Sequence, residues 1–225
     1  MSKCAKEGRV QRTAIEESPP TRVALLDAAE RLLARIGYRK VTMEDLAQEA
    51  GVSRRTVYGY FRSKEEVILG TIDRIVDQVS ERLDAVARVE GSAADRLRDM
   101  LVERVRIRVE KVRDYAHALD EIFAALRPAY LERRKAYFEA ETELLAGVLR
   151  QGQRMGEFAR RDARETAFLL LTATNAFLPH GLSPAQLQDT AGTLKQLEAL
   201  AELLVEGLRQ GPERPLLPLR ELKGR

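Results

Sequence analysis

Apolar residues recur along this chain at steps of three and four for most of its length. Leu25, Ala29, Leu32 and Ile36 form one such series. Ile68, Ile72, Ile75, Val79, Leu83 and Val86 form a second, and Leu97, Leu101, Val105, Val109 and Val112 a third. That spacing places each series on one face of an α-helix. No segment shows sustained strand alternation between turn signals, so the expected fold class is all-α, with about nine helices.

Start and stop signals divide the helices. The first is expected over 21–36, ended by Gly37 in a left-handed cap. Thr42 caps a short second helix, with Asp45 placed to reach back, and Gly51 ends it. Ser53 caps a third, running to about Tyr60, and Ser63 to Glu66 reads as a full capping box for a long fourth. Gly91-Ser92 breaks the chain before the fifth. A sixth is expected over Asp114–Leu126, stopping before Pro128, and a seventh over Ala129–Gln153. Asp162 caps an eighth, expected to run to Leu178, and Ser183-Pro184 opens the last portion. There Leu194, Leu197, Ala201, Leu204 and Leu208 step as a heptad seam. The stretch Ala167–Leu178 is apolar nearly all round. Beside that seam it points to burial against a second copy of the chain, through Leu170, Leu171, Thr174, Phe177, Leu197, Ala201, Leu204 and Leu208.

Composition narrows the function classes. The 225 residues carry a net charge of only +3, but it is unevenly placed. Residues 1–65 hold 13 basic and 9 acidic side chains, a net of +4, whereas 66–225 hold 25 and 26, a net of −1. A single cysteine, Cys4, excludes an internal disulfide framework, and two histidines leave little for a metal cage. His117 shares a helix face with Asp114, Asp120 and Glu121, yet one histidine among unpaired carboxylates reads as surface or pocket lining. His180, after Pro179, reads as a loop residue. No nucleophile–base pair, metal cluster or Gly-rich phosphate loop is present, so no enzyme, metal or cofactor is expected. No apolar run reaches the roughly 18–20 residues that span a bilayer, and the opening residues lack the core of a secretory signal. A cytoplasmic protein is expected.

The informative segment is TMEDLAQEAGVSRRTVYGYFRSKEE, Thr42 to Glu66. Helix, glycine turn and helix in this spacing match a helix-turn-helix, whose second helix enters the DNA major groove. That helix carries Ser53, Arg54, Arg55, Thr56, Tyr58 and Tyr60. Arginine forks suit guanine edges and phosphates, and hydroxyls suit phosphates. Thr42 at the preceding cap and Lys64 in the next helix are further phosphate candidates. On an unassigned helix the same residues would read as solvated charge, and a helical interaction module without a DNA role is the rival reading.

VSRRTVYGYFRSKEEV resembles the signature of the tetracycline-repressor (TetR) family of bacterial regulators. Thr42, Leu46-Ala47, Ala50-Gly51-Val52-Ser53, Thr56-Val57-Tyr58, Tyr60-Phe61 and Ser63-Lys64-Glu65 fill its pattern in order and without a gap. Arg55 stands where many members carry a small residue, which leaves the base preference open. The resemblance covers about 45 residues; Gly156-Glu157-Phe158 resembles a turn late in such proteins. Lys3, Lys6, Arg9 and Arg12 before Pro19-Pro20, without apolar periodicity, read as a mobile basic arm over 1–20, and the three prolines early in 211–225 as a Pro-rich tail; between them the resemblance implies a DNA-binding domain over 21–65 and a helical ligand-binding and dimerisation domain over 66–210. It also implies a homodimeric repressor on a palindromic double-stranded operator, released by a small-molecule effector. The effector cavity is expected among the fifth to eighth helices, with Tyr115, Phe123, Tyr137, Phe138, Phe168 and Asn175 as candidate lining.

Overall fold

The computed structural model describes residues 20–209. The basic arm with Cys4 and the Pro-rich tail lie outside the described residues, apart from Pro20. That proline opens α1 (Pro20–Ile36), where its missing N–H costs nothing. Gly37 follows at φ 74°, a conformation that suits a residue without Cβ. The head is completed by α2 (Met43–Glu49) and α3 (Arg54–Tyr60). Leu25, Leu32, Leu46, Val57 and Phe61 fill its core.

The body begins without a break, because α4 (Lys64–Ala87) runs from the head into it. Ser63 accepts the Glu66 N–H, but the Glu66 carboxylate takes the N–H of Arg62 at 2.6 Å rather than that of Ser63. The box expected here is therefore closed one residue earlier. Arg74 of α4 ties back to α1 by pairing with Asp27 and Glu30, both at 2.6 Å. The central helix is α5 (Ala93–Val112): Leu97, Leu101, Val105 and Val109 are wholly buried under α4, α6 and α9.

A 3-10 turn over Arg113–Ala118 leads into α6 (Leu119–Met155), and here the sequence expectation of two helices fails. Pro128 sits inside one continuous helix. A proline removes one i→i−4 hydrogen bond, which ends a helix when the freed carbonyl is buried. Pro128 and the residue four before it, Ala124, both face solvent, where water can satisfy that carbonyl. After Gly156 at φ 78°, Glu157 caps the start of α5 by accepting from Ala93 and Ala94 N–H at 3.0 and 3.2 Å. Phe158 is buried against Gly152, where a Cβ would come within 2.3 Å of its ring.

The described residues close with α7 (Ala163–Thr174), two 3-10 turns, α8 (Pro184–Gln188) and α9 (Thr190–Glu206). The expected eighth helix thus ends at Thr174, four residues short of Leu178. Burial corrects the expected dimer seam as well. Leu170, Leu171, Thr174, Leu197 and Ala201 are at most 4% exposed within one protomer. They pack α7 onto α6 and α9 onto α5, which leaves them almost no surface for a second chain. Phe177, Leu204 and Leu208 are half-buried at the edge of that core. The large apolar side chains that α7 and α9 leave in solvent are Phe168, Leu169 and Leu203.

Candidate nucleic-acid interface and ligand cavity

The third helix is short and is held from beneath. Ser53 caps it in extended conformation and accepts the Thr56 N–H at 3.1 Å. Val57 and Phe61 anchor its inner side and Gly51, at φ 67°, makes the turn before it. This leaves Arg54, Arg55, Tyr58 and Tyr60 on the outer surface, with Thr56 half-buried beside the cap. Arg54 reaches Glu44 at 3.6 Å and lies over the Tyr58 ring at 5.7 Å. These are surface contacts that an incoming phosphate or base edge can replace. Thr42 is exposed at the start of α2, where it and Asp45 close a full capping box.

Lys64 departs from this set. Its ammonium donates to the carbonyls of Tyr38, Arg39 and Val41 at 3.2, 3.3 and 3.1 Å, and sits 4.6 Å from the Tyr38 ring centre. All three N–H groups are thus engaged by the α1–α2 loop. In this arrangement Lys64 fastens α4 to the head. Tyr38 reinforces the join, donating to Glu65 at 3.3 Å; burial and then that carboxylate push its phenol up to about 12.

The body encloses a cavity between α4 and α6, closed by the end of α5 and the turns after α7. Five of the six expected lining residues face it: Tyr115, Phe123, Tyr137, Phe138 and Asn175. Phe168 does not. It is 50% exposed on the far side of Phe138, meeting that ring edge-on at 5.3 Å. Ile68, Ile72 and Ile75 of α4 form one wall, opposite Tyr137 and Phe138 of α6. Tyr137 donates to Asp73 of α4, which Arg133 also engages, so the two walls are bonded across the cavity edge. Burial and then the Asp73 carboxylate raise the Tyr137 phenol well above its usual range. The free space is about 70 Å³. That is far below the ~300–1,000 Å³ of pockets that hold drug-sized ligands, so occupancy requires the walls to part.

Sequence reasoning missed the polar end of this cavity. Arg104 and Glu141 are each 1% exposed and pair at 2.8 Å; Arg108 engages the other oxygen of Glu141. Arg104 also donates to Thr174 Oγ1 at 2.9 Å and Asn175 Oδ1 at 3.2 Å. A signal existed. Arg104 lies three after Leu101, and Glu141 three after Phe138 and four before Leu145, so both charges fall on apolar stripes. His180 is no idle loop residue. It lines the cavity mouth, with ring centres of Phe123 and Tyr130 at 6.0 and 6.3 Å. One side remains open to solvent; partial burial, then the charges of Arg134, Arg104, Arg108 and Arg127, hold its imidazole down at about 4. His117 is exposed beside Gly37, outside the cavity. Among the described residues no group of side chains is arranged to hold a metal ion, and no helix is long and apolar enough to cross a membrane.

Comparison with known proteins gives a consistent result. Residues 25–70 match the family model described as bacterial regulatory proteins, tetR family. Residues 93–200 match the tetracyclin repressor-like C-terminal domain. The HTH-type transcriptional regulator TtgR of Pseudomonas putida is 26% identical over 210 residues, covering 88% of this chain and 95% of that one. A transcriptional regulator of the TetR/AcrR family from Thermobifida fusca superposes with TM-score 0.60 at 26% identity, covering 84% and 98%. The solved SmeT–triclosan complex superposes with TM-score 0.61 at 22% identity, covering 88% and 96%.

Proposed function

The chain belongs to the tetracycline-repressor family and is a DNA-binding transcriptional regulator rather than an enzyme; from that premise we propose that it represses transcription from a palindromic operator and is released when a small molecule enters its cavity. The observation that carries the reading is the continuity of α4. Its first turn is fastened to the head by Lys64 and Tyr38, and its next three turns form the cavity wall through Ile68, Ile72 and Ile75. A ligand too large for about 70 Å³ displaces that wall, and the displacement reaches α3 through the same helix. The Tyr137–Asp73 bond across the walls is the contact it strains first. Such a ligand shifts the equilibrium only as far as it prefers the parted state.

DNA is read by α3, with Arg54 and Arg55 toward bases or phosphates, Ser53, Thr56, Tyr58 and Tyr60 toward the backbone, and Thr42 at the flanking cap. Two protomers join through the exposed faces of α7 and α9, where Phe168, Leu169 and Leu203 stand 50%, 58% and 73% open. That pairing sets the two α3 helices roughly 34–36 Å apart, one turn of DNA. The division into an arm, a head to residue 65, a body to 210 and a tail follows the same reading, with its internal boundary inside α4. The protein works in the cytoplasm, where its operator is. The triclosan complex of SmeT supports a small organic effector for this fold.

The test is footprinting on DNA upstream of the protein's own and neighbouring genes. The expected result is protection of a dyad-symmetric site by two protomers. Absence of protection at moderate salt on every such fragment overturns the reading.

A further inference from the structure

The cavity is apolar along most of its wall, but its charges lie at one end and are mostly of one sign. Three guanidiniums line it, Arg104, Arg108 and Arg134, against one carboxylate, Glu141. The lining therefore carries two positive charges in excess. The oxygens of Glu141 are engaged by Arg104 and Arg108, and neither pairs with Arg134. Arg104 is sealed by protein on all sides through Thr174, Asn175 and Glu141. Arg134 is different. It is half-buried at the cavity and makes no ion pair or hydrogen bond among the described residues.

Positive charge without a counter-charge is costly in a site shielded from water, and attraction for an arriving anion is correspondingly strong there. A cation entering would add to the excess. A neutral molecule would strip water from Arg134 and return little to it. The neighbouring imidazole, whose pKa is lowered to about 4 by partial burial and then by these arginines, lies in the same positive field.

We propose that the effector of this cavity is an amphipathic organic anion: a carboxylate head held by the Arg134 fork, with Arg108 alongside, on an apolar chain or ring body lying against Ile68, Ile72, Ile75 and Phe123. This rests on reading the cavity as the effector site. Guanidinium and carboxylate match as a two-point fork, which also orients the body along the apolar wall. Pushing that body between α4 and α6 is the event that parts them.

The test is calorimetric titration of the full chain at neutral pH with matched probes. These are decanoate and 4-phenylbutyrate, their uncharged twins 1-decanol and 4-phenyl-1-butanol, and decyltrimethylammonium as the cation. At least one carboxylate is expected to bind about tenfold or more tighter than its alcohol, with no measurable binding of the ammonium. Arg134→Gln should erase that tenfold preference while leaving the alcohol bound at least as tightly as in the parent and the unfolding midpoint unchanged. Arg134→Lys, which keeps the charge and loses the fork, should retain part of it. An alcohol as tight as its carboxylate, equal losses for both in Arg134→Gln, or no binding by either carboxylate overturns the proposal. Operator release is read in parallel. A neutral probe that frees the operator where carboxylates do not leaves the effector cavity standing and removes the anion. A carboxylate that binds through Arg134 without freeing the operator does the reverse.

Discussion

In the head, the arginines of α3 stand in solvent over an uncharged core of Leu46, Val57 and Phe61. Around the cavity, Arg104 and Glu141 lie inside the protein with α5, α6 and α7 packed about them. The two regions use the same residue types under opposite dielectric conditions. Surface arginines cost the fold little and can exchange partners, which is what a surface that meets DNA requires. Buried ones are committed to one geometry and leave a heavy penalty if a partner is removed. Substitutions in the head should therefore cost function with little stability, and substitutions in the buried cluster should cost stability first.

The largest effect is expected from Glu141→Ala, which strands two guanidiniums. Urea unfolding should lose about 3–5 kcal/mol. A loss below about 1 kcal/mol would mean that water reaches the cluster and that the contrast with the head is false. Lys64→Met comes next. If the ammonium fastens the loop carbonyls, the head should lose about 1–2 kcal/mol while the salt dependence of operator binding stays unchanged. The opposite pattern, a salt slope flatter by about one unit with the midpoint intact, would return Lys64 to the phosphate contacts. Thr42→Ala removes one half of the capping box and should cost about 1 kcal/mol.

The smallest effect concerns pH. His180 in the folded protein takes up its proton only near pH 4, whereas in the unfolded chain it does so near 6.5. Between those values the unfolded chain binds more protons, so stability falls as pH drops from about 6.5 toward 4. His180→Gln should show a shallower fall than the parent between pH 7 and 5. Identical slopes would place the imidazole outside the positive field.

Most of the head was legible in the sequence because its determinants are local. Thr42, Asp45, Ser53, Gly37 and Gly51 each act on a neighbour within a few residues, and the spacing of Leu25 to Ile36 declares a face. The cavity was legible in its aromatics but not in its charges. Arg104 and Glu141 are 37 positions apart, and nothing local announces that they meet. Their place on apolar stripes was visible, and a charge on such a stripe is a reason to look for its buried partner. Pro128 misled for a similar reason: its effect depends on which way the freed carbonyl points, which only the tertiary structure decides. The heptad over Leu194 to Leu208 was a true seam, but most of it faces α5 of the same chain rather than a second copy. Periodicity shows that a face is buried, not what buries it.

The measurement that bears most directly on the central claim is operator affinity of Arg54→Ala, read by fluorescence anisotropy beside its unfolding midpoint. The side chain is 62% exposed and makes one long ion pair. Operator affinity should fall about tenfold to a hundredfold, with the midpoint within about 0.5 kcal/mol of the parent. An Arg54→Ala protein that binds the operator as tightly as the parent would contradict the assignment of α3 as the DNA-reading helix.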